Sequence, residues 1–155
     1  MEQQTQAYKI FTKIGLNNWH YIDRKVLSLN ESINFFTGHS GSGKSTVIDA
    51  MLKSYQGVIA ASTGHISVHE AGAIEFGGHK VLTLPHHNGK ISASQIRALL
   101  EQYQNDANHD HMVMPGMVYL SQPTENGTLY SLEELDAAER VMQALVQTVE
   151  TEKGD

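Results

Sequence analysis

The chain contains no cysteine, which excludes disulfides, thiolate-ligated zinc and a thiol nucleophile. Only three of its 155 residues are proline, and Trp19 is the only tryptophan, expected as a buried or half-buried anchor for a hairpin rather than as a cover for a nucleotide base. Charge is sparse and leans acidic: 11 basic against 17 acidic residues, a formal net charge of −6. That balance, without any Lys/Arg cluster, lacks the electrostatic footprint of a nucleic-acid binder. No apolar run approaches the length needed to span a bilayer, and the polar start Met1-Glu2-Gln3-Gln4-Thr5-Gln6 has no signal-peptide core. A cytoplasmic protein with no membrane and no nucleic-acid partner is the expectation. The 40% hydrophobic content of a chain this long suffices for one buried core.

One motif stands out. Gly38-His39-Ser40-Gly41-Ser42-Gly43-Lys44-Ser45-Thr46 is a full match to G-x-x-x-x-G-K-[ST]. An apolar run, Ser32-Ile33-Asn34-Phe35-Phe36-Thr37, precedes it, and Val47, Ile48, Met51 and Leu52 follow at helical spacing. Each residue type has a physical role. Gly38, Gly41 and Gly43 let the backbone approach an anion without an intervening Cβ. The successive N–H groups of the loop, Ser40 and Ser42 among them, converge into a nest for phosphate, and the free N–H groups and dipole of the following helix add to it. Lys44 offers a point charge to the β- and γ-phosphates. The Ser45 hydroxyl is placed to ligate Mg²⁺, and Thr46 stands beside the α-phosphate. The expected ligand is therefore ATP or ADP with Mg²⁺, or another phosphate anion.

Residues 13–22 and 33–51 resemble the N-terminal ATPase head of SMC-like proteins, and the run Asn18-Trp19-His20-Tyr21 points to the Wadjet-type condensin branch. The resemblance implies a Walker A half-site whose Walker B carboxylate and signature motif come from a distant segment. No apolar strand in this chain ends in such a carboxylate: 58–62 runs into Thr63, 81–84 into Pro85, and 118–121 into Gln122-Pro123. Glu125, a few residues past the last of these, is a weak substitute. Little or no hydrolysis is expected.

Beyond Ser54 the text changes character. Strands are expected at 57–62, 80–85 and 117–121, and a helix over 64–75. Ser92 with Gln95, and Ser131 with Glu134, have capping-box spacing and open two further helices. Residues 8–14 and 25–29 read as a hairpin, and 151–155 as a fraying end. Residues 54–59, 64–75, 78–81 and 115–130 resemble the low-specificity threonine aldolases, pyridoxal-phosphate lyases of the aminotransferase-like fold. The resemblance implies that His65 stacks on the cofactor ring and that Glu70 is a nearby acidic position. It also implies a Gly-Thr-x-x-Asn phosphate loop where Ser42-Gly43-Lys44-Ser45 stands here, and a later Schiff-base lysine that Lys44, Lys53, Lys80, Lys90 and Lys153 do not match. Pyridoxal phosphate and aldolase activity are therefore not expected.

The two resemblances overlap at 46–50. The expectation is a composite, recombined or designed, forming a single α/β domain: an SMC-like segment to residue 50, an aldolase-like segment over 51–135, and a C-terminal helix over 136–155. Its architecture should be a three-layer α/β/α sandwich with a mainly parallel sheet and an antiparallel edge hairpin. The function expected is a phosphate- or nucleotide-binding module. The alternatives are a structural hybrid without activity and a residual pyridoxal-phosphate lyase fragment. His65 and His69 stand four apart and could share a metal, as could His86-His87 or His109 with His111, but no carboxylate is tied in sequence to any pair.

Overall fold

The computed structural model describes residues 13–16, 25–29, 34, 36–37 and 44–152, and the side chains of residues 14–16, 25, 44 and 145–152 are not among what it describes. Strand β1 (Lys13–Leu16) pairs antiparallel with β2 (Lys25–Ser28). Helix α1 (Lys44–Met51) leads through a short turn into β3 (Gln56–Ala61). Two four-residue helices follow, α2 (His65–Val68) and α3 (Ala73–Phe76), then β4 (Val81–Leu84) and α4 (Ala93–Asn105). A single 3₁₀ turn (His109–His111) precedes β5 (Met114–Val118), and α5 (Leu132–Glu152) closes the described chain.

The parallel sheet has the order β4-β3-β5, with β3 at its centre. Its sequence explains the layering. Successive side chains of a strand point to opposite faces. Val58 and Ala60 therefore face one way and join Ile48 of α1, Ile66 of α2, Ile74 of α3 and Val81. Ile59 and Ala61 face the other way and join Ile96 and Leu100 of α4 with Ala138 and Val141 of α5. From Val58 to Ala60 the strand is wholly inaccessible to solvent. This two-faced burial is why it reads as a continuous apolar run, as a strand covered by helices on both sides must. The α/β architecture with a mainly parallel sheet agrees with the sequence reading.

Three local expectations are corrected. The hairpin forms its own two-stranded sheet among the described residues rather than extending the parallel one. It meets α1 instead, where Val47 packs with Leu27, Leu29 and Phe36. The helix expected over 64–75 is broken into α2 and α3, because Ala71 and Gly72 take left-handed conformations with φ of 50° and 74°. Finally, β5 starts three residues earlier than its apolar pattern suggested, at Met114, and includes Pro115 and Gly116. A proline is tolerated because β5 is an edge strand of the three. The register slips opposite Gly57/Val58, a bulge in which a Cβ on Gly116 would lie 2.6 Å from the Gln56 side chain.

Both expected capping boxes form. Ser92 accepts from the Gln95 N–H at 3.3 Å while Gln95 Oε1 accepts from the Ser92 N–H at 2.9 Å. Ser131 and Glu134 reciprocate at 3.2 and 2.7 Å. Thr151 and Glu152, expected to fray, are still helical.

Candidate functional site

Of the phosphate-loop residues expected to bind an anion, Gly38, Ser40, Gly41, Ser42 and Gly43 lie outside the described residues. What is described is the helix that follows. It begins at Lys44, with Ser45 half-buried and Thr46 buried. Ile48 packs beneath Val58 and Ala60, and only four residues separate α1 from β3. So short a link obliges α1 to run back along β3. The start of α1, where the loop ends, is thereby carried to the carboxyl end of the parallel strands, the usual ligand-binding end of such sheets.

At that same end, beyond β3 and β5, lies a cluster of imidazoles and carboxylates. His65 Nδ1 is 3.1 Å from Glu125 Oε1, and His65 Nε2 is 3.2 Å from Glu70 Oε1. His69 Nε2 is 3.5 Å from the second oxygen of Glu125, and the two imidazole rings are tilted with centroids 5.3 Å apart. Glu125 thus ties together a histidine pair for which the sequence showed no carboxylate partner. Its loop is firmly built. Gln122 and Tyr130 exchange bonds of 2.8 and 3.1 Å, Thr124 and Thr128 join through their hydroxyls at 2.7 Å, and Thr128 donates to the Asn88 carbonyl at 2.6 Å. Tyr119 stands by this cluster. Burial pushes its phenol pKa above the ordinary tyrosine value, and the Glu70 and Glu125 carboxylates push in the same direction. The His86-His87 and His109/His111 pairs gather no such set. Among the described residues no group of three or more histidine, aspartate or glutamate side chains converges on a metal position.

Lys53 and Lys80 stand before the amino ends of β3 and β4, at the opposite end of the sheet from His65. Lys90 is committed to Glu134 at 2.7 Å. Both ring nitrogens of His65 face carboxylates, and His69 lies against the same ring.

A second polar locus lies at the other end of α1. Asp49 and His79 are both buried, with His79 Nε2 3.4 Å from Asp49 Oδ1. No local pattern points to this pair, whose members are 30 positions apart.

Comparison with known proteins divides the chain in two. Residues 11–56 match a family model described as the P-loop containing region of AAA domain. A 105-residue stretch, 66% of the chain, is 32% identical to the low-specificity L-threonine aldolase of a Pseudomonas species and 34% identical to that of Pseudomonas aeruginosa. The chain spans only 29% of the length of each of these relatives. Among solved structures, a Leishmania major threonine aldolase is similar over 66% of this chain and 30% of its own, with 40% identity and a TM-score of 0.58. The chain thus carries a P-loop segment similar to that of AAA domains and α/β units similar to those of the threonine aldolases.

Proposed function

We infer that the chain is a phosphate- or nucleotide-binding module with little or no turnover, a composite in which a P-loop segment is seated on aldolase-like α/β units. The observation that carries this reading is the continuity of motif and fold. A complete G-x-x-x-x-G-K-[ST] sequence ends at the first turn of α1, and α1 is packed so that this turn lies at the carboxyl end of a parallel sheet. In this reading the N–H groups from Gly38 through Gly43 hold the β-phosphate, Lys44 offers its charge to the terminal phosphates, and Thr46 lies by the α-phosphate. Ser45 would hold Mg²⁺, which neutralises phosphate charge when bound. The Asn18-Trp19-His20-Tyr21 run makes the SMC-like branch the narrower candidate within P-loop proteins. A pyridoxal-phosphate lyase is disfavoured because no described lysine adjoins His65.

Calorimetric titration of MgATP and MgADP into the wild type and Lys44→Ala tests this. Saturable binding to the wild type, lost in the variant, is the expected result. A folded wild type that binds neither nucleotide would sink the reading.

A further inference from the structure

The Asp49–His79 locus is a buried polar site that phosphate binding does not use. His79 follows Gly77-Gly78 and opens the approach to β4, while Asp49 projects from α1 more than a turn beyond Lys44. The His79 side chain is 7% exposed and that of Asp49 8%. His79 Nδ1 lies 3.0 Å from the backbone carbonyl of Gln56. A carbonyl only accepts, so Nδ1 carries the hydrogen. In the neutral ring the lone pair is therefore on Nε2, which lies 3.4 Å from Asp49 Oδ1. That oxygen is itself buried with no hydrogen-bond partner. Two lone-pair-bearing atoms thus stand close together on buried side chains, an arrangement that calls for a positive species between them.

The separation decides which species fits. A charge-assisted N–H···O bond would draw the atoms to about 2.7–2.9 Å. Two ligands of a tetrahedral zinc-like ion, each about 2.0–2.1 Å from the metal, stand about 3.3 Å apart. The observed 3.4 Å matches the second case. The Nδ1–H bond to a backbone carbonyl is also the outer-shell contact that orients and fixes the tautomer of metal-bound imidazoles. An adjoining cavity of about 260 Å³, lined by Asp49, Ala50, Leu52, Ser54, Gly77 and His79, leaves room for water to complete the coordination. Gly77 makes the approach possible, since a Cβ there would fall 1.7 Å from Asp49 Oδ1.

We propose that Asp49 Oδ1 and His79 Nε2 form a two-ligand site for a borderline divalent transition metal of the Zn²⁺ or Co²⁺ kind, separate from the Mg²⁺ position expected at Ser45. The site lies against the amino ends of β3 and β4, away from the phosphate end of α1, and a metal there would clamp α1 to the sheet. The test is titration of metal-free protein with Zn²⁺ by calorimetry, and with Co²⁺ by visible absorption. His79→Gln and Asp49→Asn are compared with a His65→Gln/His69→Gln control, and the fold of each is checked by circular dichroism. One equivalent should bind the wild type and the control alike. Affinity should fall by more than about tenfold in either site variant, since even outer-shell losses cost about 10–100-fold. Should the site variants fail to fold, ¹⁵N NMR of the wild-type histidine rings provides the readout, with His79 Nε2 expected to shift on addition of Zn²⁺. Absence of saturable binding, binding unchanged in His79→Gln, binding lost in the control, or Zn²⁺ uptake with His79 unmoved would each overturn the proposal. The pair would then be an imidazolium–carboxylate link.

Discussion

At the scale of single residues, the tightest constraint lies where two segments of chain touch. Gly77 has an ordinary negative φ of −70°, so its glycine is required by space rather than by backbone conformation. Gly77→Ala would drive the new methyl into the Asp49 carboxylate, and overpacking of this kind costs about 1–3 kcal/mol, measurable as a fall in the urea midpoint. Ile59 gives the opposite case. It is wholly buried between β4, β5 and the α4–α5 layer, and Ile59→Ala should cost about 2–5 kcal/mol by the same assay. The two residues differ in how far sequence reveals them. Ile59 is legible because it sits in the run Val58-Ile59-Ala60-Ala61, a short continuous apolar stretch bounded by Gly57 and Ser62 that suits a strand buried on both faces. The contact of Gly77 and His79 with Asp49 is not legible, because proximity across 28 and 30 positions is set by how α1 and α3 cross, and no local pattern encodes a crossing. The Glu125–His65–His69 contact is intermediate. The histidine spacing was visible, but the carboxylate arrives from beyond β5 by way of a loop whose path is fixed by Gln122, Thr124 and Thr128.

At the scale of elements, the capping boxes were the most legible feature, because N-terminal capping is settled within four residues. Ser131→Ala should remove about 1 kcal/mol and lower Tm by about 2–4 °C in a thermal scan. Glu134 adds a pH dependence to the same helix start. The Lys90 ammonium and the Ser131 N–H hold its carboxyl pKa below the ordinary glutamate value. A depressed folded-state pKa means that the stabilising contribution is present above the unfolded glutamate range and is lost as pH falls through the lower folded value. The destabilisation caused by Glu134→Gln should therefore be evident at pH 7 and vanish in strong acid. The group is 45% exposed, so solvent screening keeps the effect within about 1 kcal/mol. Elements were misread where a turn residue hid inside an apolar pattern. Ala71 in a left-handed conformation is costly for an alanine and leaves no composition signal, so the break between α2 and α3 passed as a helix. Pro115-Gly116 reads as a loop, and becomes strand only because β5 occupies the edge of the described sheet.

At the scale of the whole molecule, Val47 is the seam. It belongs to α1, whose next residue Ile48 enters the core of the parallel sheet, while Val47 itself gathers Leu27, Leu29 and Phe36 from the N-terminal segment. Neighbouring residues of one short helix thus serve two cores, which is how a P-loop segment and aldolase-like units share a fold. If the nucleotide-binding reading holds, ligand at about one hundred times its Kd should stabilise the protein by about 2.7 kcal/mol. The rise in Tm on adding MgATP should disappear in Lys44→Ala, while the variant without ligand melts at the wild-type temperature.

The central position of β3 has a consequence in time as well as in space. It is bonded to β4 on one side and β5 on the other, and both of its faces are covered. Its amide protons can meet solvent only when the sheet comes apart. Edge amides escape through smaller openings. In deuterated water the amides of 58–61 should therefore be the last protected signals to fade. Their common lifetime would report the global unfolding free energy, against which every substitution discussed above can be ranked.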